Sequence, residues 1–154
     1  MIKMINKLHL AMIDLFNGDA KRIQHFCKVH SYAKLIAEAE NVDGETLFII
    51  ETAALTHDIG IHFCEEKYGN CNGKLQEKEG PPIAKQLLEK LDFNDKISNR
   101  VQYLIAHHHT YGNIDGIDYQ ILVEADFLVN MYEENLSKQS VQNAYDKIFK
   151  TSCG

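Results

Sequence analysis

Hydrophobic residues recur along this chain at intervals of three and four residues, which is the spacing of one face of an α-helix. Polar and glycine-containing breaks divide this pattern into seven segments. They predict helices over about residues 2–16, from 19 to near 41, from 43 through 57, from 80 through 91, 95–109, 118–131 and 138–149. Because β-branched runs are few, the pattern favours an all-α fold, a compact helical bundle, over one rich in strands.

The third predicted helix carries the most informative polar residues. Its positions Leu47, Ile50, Ala54 and His57 are three, four and three residues apart, so they share one face. His57 therefore lies at the end of a buried stripe, and Asp58 lies beside it, one residue further around the helix. A buried carboxylate is costly unless it is paired or bound to a metal, so the pair indicates a site.

The segment from residue 61 to residue 79 has little hydrophobic periodicity and contains several glycines and asparagines, which are typical of loops and turns. We predict a long loop here, with at most a short helical turn. Since long structureless segments are often functional, we expect it to form one wall of the site. Gly80-Pro81-Pro82 is predicted to begin the next helix, because proline suits the first helical turn.

Length and composition favour one domain. A chain of 154 residues is the size of a single domain, predicted here over 1–154 with a core over about 20–130, and 45% hydrophobic residues suffice for one core. The net charge of −6 argues against a nucleic-acid partner, whose binding face would be basic. No stretch approaches about 18 continuous apolar residues, so we expect no membrane partner.

The cysteines indicate no thiolate metal site. Cys27, Cys64, Cys71 and Cys153 form no Cys-x-x-Cys pair. The N-terminus has no continuous apolar segment of the kind found in signal peptides. We therefore expect reduced thiols and a cytoplasmic location.

Five polar residues lie on, or one residue from, the apolar stripes of the predicted helices: His25, His57, Asp58, His108 and Asp126. A single histidine in such a place is more often an ordinary core residue, and a single aspartate a cap or an ion-pair partner. Burying all five without a shared purpose would cost on the order of kilocalories per mole each. A shared divalent cation is the simplest compensation, because helices of a bundle can direct histidine and carboxylate ligands to one centre.

The same residues carry a resemblance to the HD-domain superfamily of metal-dependent phosphohydrolases. Segments 22–25, 53–60 and 124–126 resemble the ligand-bearing helices of that family in order and context, and the resemblance spans about residues 20–130. It implies a compact α-helical fold with one or two divalent ions, among which Mn, Fe, Mg, Ni and Zn are not distinguishable. The resemblance also implies which four residues would bind the first ion, and one of them, Asp58, could bridge to a second ion. These ligands are His25, His57, Asp58 and Asp126.

A second ion would need further ligands. His108-His109 is similar to the histidine pair that phosphodiesterase branches of the family add, and helix geometry orders the three adjacent candidates as His108, His109 and then His107. Near a predicted helix start, where those branches have a histidine, this chain has Glu79. A glutamate can bind a hard metal, although a solvent-exposed carboxylate at a helix start is equally expected.

Departures from the family pattern bear on the substrate. The tyrosine-proline ending of cyclic dinucleotide phosphodiesterases is replaced by Ile117-Asp118, which argues against that specificity. The glutamate that some 5′-nucleotidases of the family carry three residues after Asp58 is absent, and Ile61 stands where the family often has a phosphate-holding lysine. A lysine in a loop is more often solvated and a tyrosine there more often packs. The candidate substrate-binding residues are nevertheless His62, Lys67 and Tyr111.

The residues and the resemblance together predict a metal-dependent phosphoric ester hydrolase. Its partner would be a small-molecule phosphomonoester or phosphodiester, of a nucleotide or a similar compound, hydrolysed by a metal-activated water. Asp58, His108 and His109 are the predicted catalytic residues. Two alternatives stay open, a di-iron oxygenase on the same ligands and a non-catalytic module that binds a nucleotide or a metal. A homodimer is a further possibility.

Overall fold

The computed structural model of the protein describes all 154 residues and contains eight α-helices and no β-strands. The helices are α1 (Ile2–Leu15), α2 (Ala20–Ala39), α3 (Gly44–Thr56), α4 (Ile61–Tyr68), α5 (Gly73–Lys90), α6 (Asp95–His107), α7 (Ile117–Glu133) and α8 (Lys138–Lys147). The predicted all-α fold is confirmed. The helix beyond the seven predicted ones is α4, which lies in the segment predicted as a loop.

Polar side chains set where most of the helices begin. Five helices follow a residue whose side chain accepts a hydrogen bond from a backbone N–H of the first turn. These residues are Asp19, Asp43, Asn72, Asn94 and Ser137. Between α1 and α2 the chain reverses at Gly18, whose φ of +90° suits glycine. Several helix boundaries therefore follow from local sequence alone.

The helices enclose one core, in which α2 and α3 are central. α2 packs against α3 and α7, α3 packs also against α1, α6 and α7, and α5 packs against α6. Phe26, Val29, Leu55 and Leu122 are almost completely shielded from solvent there. Burying a large apolar side chain contributes about 1.5–3 kcal/mol. This packing fixes α2, α3 and α7 relative to one another.

The segment from residue 61 to residue 79 is not the long loop that the sequence predicts. It forms α4, which ends at Gly69 with a φ of +75°, and then the first turns of α5. α5 begins at Gly73 rather than at Gly80, so the predicted start of this helix is also wrong. The reason is the short length of α4: only two of its eight residues are buried, which is too few to give a recognisable period.

Helix α5 continues through Pro81 and Pro82, which the sequence predicts in a first turn. Proline inside a helix removes backbone hydrogen bonds and normally breaks the helix. Here the packing of α5 against α6 offsets that loss. Four buried residues of α5 recur at intervals of four along one stripe: Gln76, Gly80, Ala84 and Leu88.

Two glycines allow α5 to approach the turn that follows α3. A Cβ at Gly60 would lie 3.0 Å from the backbone N and Cα of Gly80, and a Cβ at Gly80 would lie 2.8 Å from Cγ2 of Ile105. Side chains at these positions would therefore displace their neighbours in a close-packed interior. The close approach brings the first half of α5 beside the turn that carries His57 and Asp58.

One segment, Gly44–Tyr68, is 25 residues long and contains an 18-residue window with a mean hydropathy of 1.2, which is enough to cross a membrane by length and composition. These criteria are broader than the continuous apolar run considered in the sequence analysis, because the segment includes charged residues such as Glu51 and Asp58. In the fold, however, 78% of its most apolar window is buried, as in the core helix of a globular protein. A single segment of this kind is weak evidence for a membrane partner.

Candidate metal centre

Four of the predicted ligands converge at one point, although they are far apart in the sequence. His25 comes from α2, His57 and Asp58 from the turn after α3, and Asp126 from α7. The Nε2 atom of His25 lies 3.2 Å from an oxygen of each aspartate and 3.2 Å from Nε2 of His57. Nε2 of His57 lies 3.3 Å from Asp58 and 3.4 Å from Asp126. We call these four residues the first ligand group.

The other ring nitrogen of each histidine in this group is already engaged. His25 donates from Nδ1 to the carboxylate of Glu133 at 2.9 Å, and His57 donates from Nδ1 to the backbone oxygen of Ala54 at 2.8 Å. These contacts place a proton on Nδ1 and direct Nε2 towards the two aspartates. Metal-binding histidines in proteins typically have such a carboxylate or carbonyl behind them.

With neutral imidazoles, the first ligand group contains only acceptors at its centre. Two Nε2 lone pairs face two carboxylate oxygens. Oδ1 of Asp126 is buried and has no donor in hydrogen-bonding geometry, even though Nε2 of His25 lies 3.2 Å away. Such an arrangement is stable only with positive charge within it, from protons or from a bound cation.

Protons supply that charge in the metal-free protein. Burial lowers the pKa of His25, but the adjacent carboxylates of Asp126 and Asp58 outweigh burial and raise it to about 10. Burial raises the pKa of each aspartate, but the neighbouring His57 and His25 lower both below the ordinary range. The centre is therefore prepared to hold a cation, which would displace these protons.

A second group of candidate ligands shares Asp58 with the first. The Oδ2 atom of Asp58 faces the histidines of the first ligand group. The Oδ1 atom of Asp58 faces His108 and lies 3.6 Å from its Nε2. His108 donates from Nδ1 to the backbone oxygen of Ile105 at 2.6 Å, and its Nε2 is buried without a partner. Asp58, His108 and His109 lie close enough together to hold an ion. We call these three residues the second ligand group.

His109 lies between the second ligand group and α5. Its Nε2 is 3.3 Å from Oε1 of Gln76, and its Nδ1 is 3.4 Å from the hydroxyl of Tyr111. Burial, together with electrostatic repulsion from the nearby His108 ring, lowers the pKa of His109 to about 4. The side chain is therefore neutral at pH 7, as a metal-binding imidazole must be.

Two α5 residues that are not among the predicted site residues support this part of the site. Gln76 contacts the ring of His109, and the Glu77 carboxylate accepts hydrogen bonds from the His109 backbone N–H at 3.1 Å and the Thr110 hydroxyl at 2.8 Å. Both residues are buried. With a helix that begins at Gly80, neither falls on a helical stripe. Extending the α5 stripe back by four residues is the signal that finds Gln76.

Three of the predicted residues lie away from both ligand groups. Glu79 accepts a hydrogen bond from the hydroxyl of Tyr68 at 2.6 Å and pairs with Lys67 at 3.5 Å. Lys67 therefore faces Glu79 rather than the ligands. His62 contacts Asp19 at 2.8 Å, at the start of α2. Among the predicted substrate-binding residues, only Tyr111 contacts a candidate ligand, His109.

Two aromatic residues beside the histidine pair have mainly structural contacts. His107 donates from Nδ1 to the backbone oxygen of Tyr103 at 2.7 Å, and the two rings stack with centroids 4.2 Å apart. These contacts turn His107 away from both ligand groups, and its side chain is half-buried. Tyr111 packs edge-on against Phe127, with ring centroids 5.1 Å apart.

A pocket of about 210 Å³ opens over the first ligand group. From α2 it is lined by Lys21, Arg22 and His25. From α7 it is lined by Asp126, Asn130, Glu133 and Glu134. The rest of its wall consists of Asp58, Ile61, Gln76 and His109. A small ligand can thus reach the candidate metal centre from solvent.

The fold and this centre define an all-α protein with a His/Asp cluster suited to a divalent metal. The chain belongs to the HD-domain family, whose sequence pattern matches residues 22–150. The resemblance drawn from the sequence is therefore confirmed. Among curated proteins, none matches the chain.

A solved structure supports the fold. The chain is similar to a crystal structure of a predicted HD superfamily hydrolase from an uncultured Thermotogales bacterium, with a TM-score of 0.67 and 24% sequence identity. The match covers 96% of this chain and 79% of the other. At this identity the similarity shows a shared fold, and the chemistry has to be argued from the site.

Proposed function

We propose that the protein is a metal-dependent hydrolase of phosphate esters and that the first ligand group binds one divalent cation. One observation carries the proposal. The Nε2 atoms of His25 and His57 lie 3.2–3.4 Å from carboxylate oxygens of Asp58 and Asp126, and with neutral imidazoles none of these four groups can donate a hydrogen bond to another. Membership of the HD-domain family supports it. The similar solved protein is described as a predicted hydrolase, in agreement with this proposal.

The donor set fits borderline transition metals better than magnesium. Imidazole together with carboxylate suits Mn, Fe, Ni or Zn, whereas Mg prefers oxygen ligands. The second ligand group offers another position, so we propose one or two ions per chain. A cation held in such a site supplies Lewis-acid chemistry, which activates water as the nucleophile and offsets negative charge on phosphoryl oxygens.

The residues of the chain would position the reacting groups. Asp58 belongs to both ligand groups and lines the pocket, so its carboxylate can orient the attacking water by accepting a hydrogen bond from it. His108 presents an unpartnered Nε2 beside Asp58, where it can hold a second cation or contact a phosphate oxygen. His109 lines the pocket as a neutral imidazole, so its part is ligation or hydrogen bonding rather than proton donation.

The substitution Asp58→Asn tests the proposal, because it keeps the size of the side chain and removes its charge. We expect the metal content per chain, measured by elemental analysis, to fall sharply. We also expect hydrolysis of 4-nitrophenyl phosphate and bis(4-nitrophenyl) phosphate to fall by about 100-fold or more, since the nucleophile and the charge stabilisation both depend on the cation. Asp14→Asn is the matched control, because Asp14 is an exposed aspartate of α1.

The outcomes separate the competing functions. Unchanged turnover in a folded Asp58→Asn protein would refute the proposal. Metal binding by the unsubstituted protein without hydrolysis of either ester would favour the non-catalytic module. Redox-active iron with oxygen consumption would favour the oxygenase.

A further inference from the structure

We propose that the substrate is the phosphomonoester of a small hydroxylated compound, such as a polyol or sugar phosphate, rather than a nucleotide. The inference rests on the proposed function, because it concerns the pocket over the same ligands. Its grounds are the size and polarity of the pocket, the balance of charge along its walls and the unpaired polar groups on α7.

The pocket is small and almost entirely polar. Its volume is about 210 Å³, and Ile61 is the one apolar residue among those that line it. Sites for drug-sized ligands are larger, about 300–1,000 Å³, and are lined mainly by apolar and aromatic side chains. Nucleobases commonly stack on the rings of Phe, Tyr or Trp, and none of these lines the pocket. The nearby Tyr111 packs against Phe127 and does not line the pocket.

The charge of the walls suits a single phosphate group. One lysine, Lys21, and one arginine, Arg22, line the pocket. Arg22 already pairs with Asp19 at 3.2 Å and with Glu65. Lys21 is thus the positively charged side chain of the pocket wall that has no ion-pair partner. Against it stand the carboxylates of four lining residues: Asp58, Asp126, Glu133 and Glu134. A cation at the centre would offset the charges of Asp58 and Asp126 and take up one phosphate. The carboxylates of Glu133 and Glu134 would then repel the further charges of a diphosphate or triphosphate.

The α7 wall offers unpaired groups that suit hydroxyls. The half-buried amide of Asn130 lines the pocket and has no hydrogen-bond partner within the protein, and the carboxylate of Glu134, which is exposed to solvent, lines it without an ion-pair partner. On the opposite side, the amide nitrogen of Gln76 is likewise unpaired while its oxygen contacts His109. Donors and acceptors that face a small cavity without partners favour a ligand rich in hydroxyl groups, since such groups can both donate and accept.

The test compares substrates on the manganese-loaded protein. We expect kcat/KM for glycerol 3-phosphate to exceed that for adenosine 5′-monophosphate and adenosine 5′-triphosphate by about 10-fold or more. 4-Nitrophenyl phosphate reports on phosphoester hydrolysis as such. If it is hydrolysed but the nucleotides are preferred, or all values agree within about threefold, the substrate inference is overturned and the proposed function stands. If no ester is hydrolysed, the proposed function itself has failed.

A pair of variants gives a second readout. Asn130→Ala should lower kcat/KM for glycerol 3-phosphate relative to that for 4-nitrophenyl phosphate by about fivefold, mainly through KM. It should also weaken binding of the phosphonate analogue of glycerol 3-phosphate, measured by calorimetry without turnover. Lys7→Ala, at a solvent-exposed position of α1, is the control and should change neither value. An unchanged ratio and unchanged phosphonate binding in Asn130→Ala would remove α7 from substrate recognition.

Discussion

At the scale of single residues, the orientation of His25 depends on a residue outside the first ligand group. Glu133 accepts the Nδ1 proton of His25 at 2.9 Å and so keeps Nε2 directed at the metal position. We predict that Glu133→Gln weakens metal affinity by about 10- to 100-fold, because the neutral amide orients the ring less firmly and reduces its basicity. Metal titration by calorimetry measures this. Glu134→Gln, at the next position, is the control, and equal affinities in the two variants would contradict the assignment.

The protons at the centre predict a pH dependence for the metal-free protein. The pKa of His25 is raised from its ordinary 6.5 to about 10, where the carboxylates of Asp126 and Asp58 outweigh burial. The pKa of His25 is higher in the folded protein than in the unfolded chain, so protonation of its ring stabilises the fold. This contribution is complete below pH 6.5 and is lost as the pH rises towards 10. A bound cation replaces the proton. We therefore expect Tm to fall over this range in chelator-treated protein and to change less after metal loading, whereas parallel profiles would contradict the prediction.

The sequence allows the first ligand group to be predicted because each member lies on or beside an apolar helical stripe. His25 and Asp126 are spaced from their apolar neighbours at helical intervals, and the family pattern supplies their order. The partner of His25 was not predictable. Glu133 is 108 residues away in the chain, and its contact depends on the angle and rotation at which α2 packs on α7. Stripes specify which faces are buried but not which side chains meet.

At the scale of helices, the predicted boundaries are wrong where tertiary packing overrides local preference. Pro81 and Pro82 are strong signals for a helix start, yet α5 begins at Gly73, two turns earlier. Packing along the α5 stripe stabilises the helix across both prolines. This contribution cannot be read from the neighbouring residues in the sequence, because it depends on contacts with α6. Because Gln76 and Glu77 lie in those first turns, the same error concealed them as parts of the site.

The contact between Gly60 and Gly80 gives a prediction at this scale. A Cβ at Gly60 would lie 3.0 Å from backbone atoms of Gly80, which cannot move without shifting α5. We predict that Gly60→Ala destabilises the protein by about 1–3 kcal/mol, as overpacking does, and weakens metal binding by displacing the turn with Asp58. Urea unfolding of metal-free protein measures the first effect. Gly112→Ala is the control, because no atom lies within 4 Å of the added methyl group. Equal stability of the two variants would show that the backbone contact is not tight.

At the scale of the whole molecule, the fold class was predictable and the course of the chain was not. Helical periodicity runs through most of the sequence, so an all-α bundle follows from the pattern. α8 has no buried residue, and the segment after it returns to α7 rather than extending into solvent. The residue that receives this segment is Glu124, a fully buried carboxylate. Nothing in its spacing distinguishes it from an ordinary polar residue of a helix.

Glu124 therefore gives a prediction about how the end of the chain is held. Its carboxylate accepts hydrogen bonds from the backbone N–H groups of Lys150 and Thr151 at 3.0 and 3.1 Å, from the Thr151 hydroxyl, and from the amide of Gln120 at 2.6 Å. In Glu124→Gln, an amide NH₂ would face one of these donors. Since a buried donor left without an acceptor costs about 1–3 kcal/mol, we expect unfolding in urea at a lower concentration and faster proteolysis after residue 147. Glu38→Gln, at an exposed position of α2, is the control. If both variants resist protease equally, the returning segment is held by its apolar contacts instead, chiefly those of Ile148 with the core.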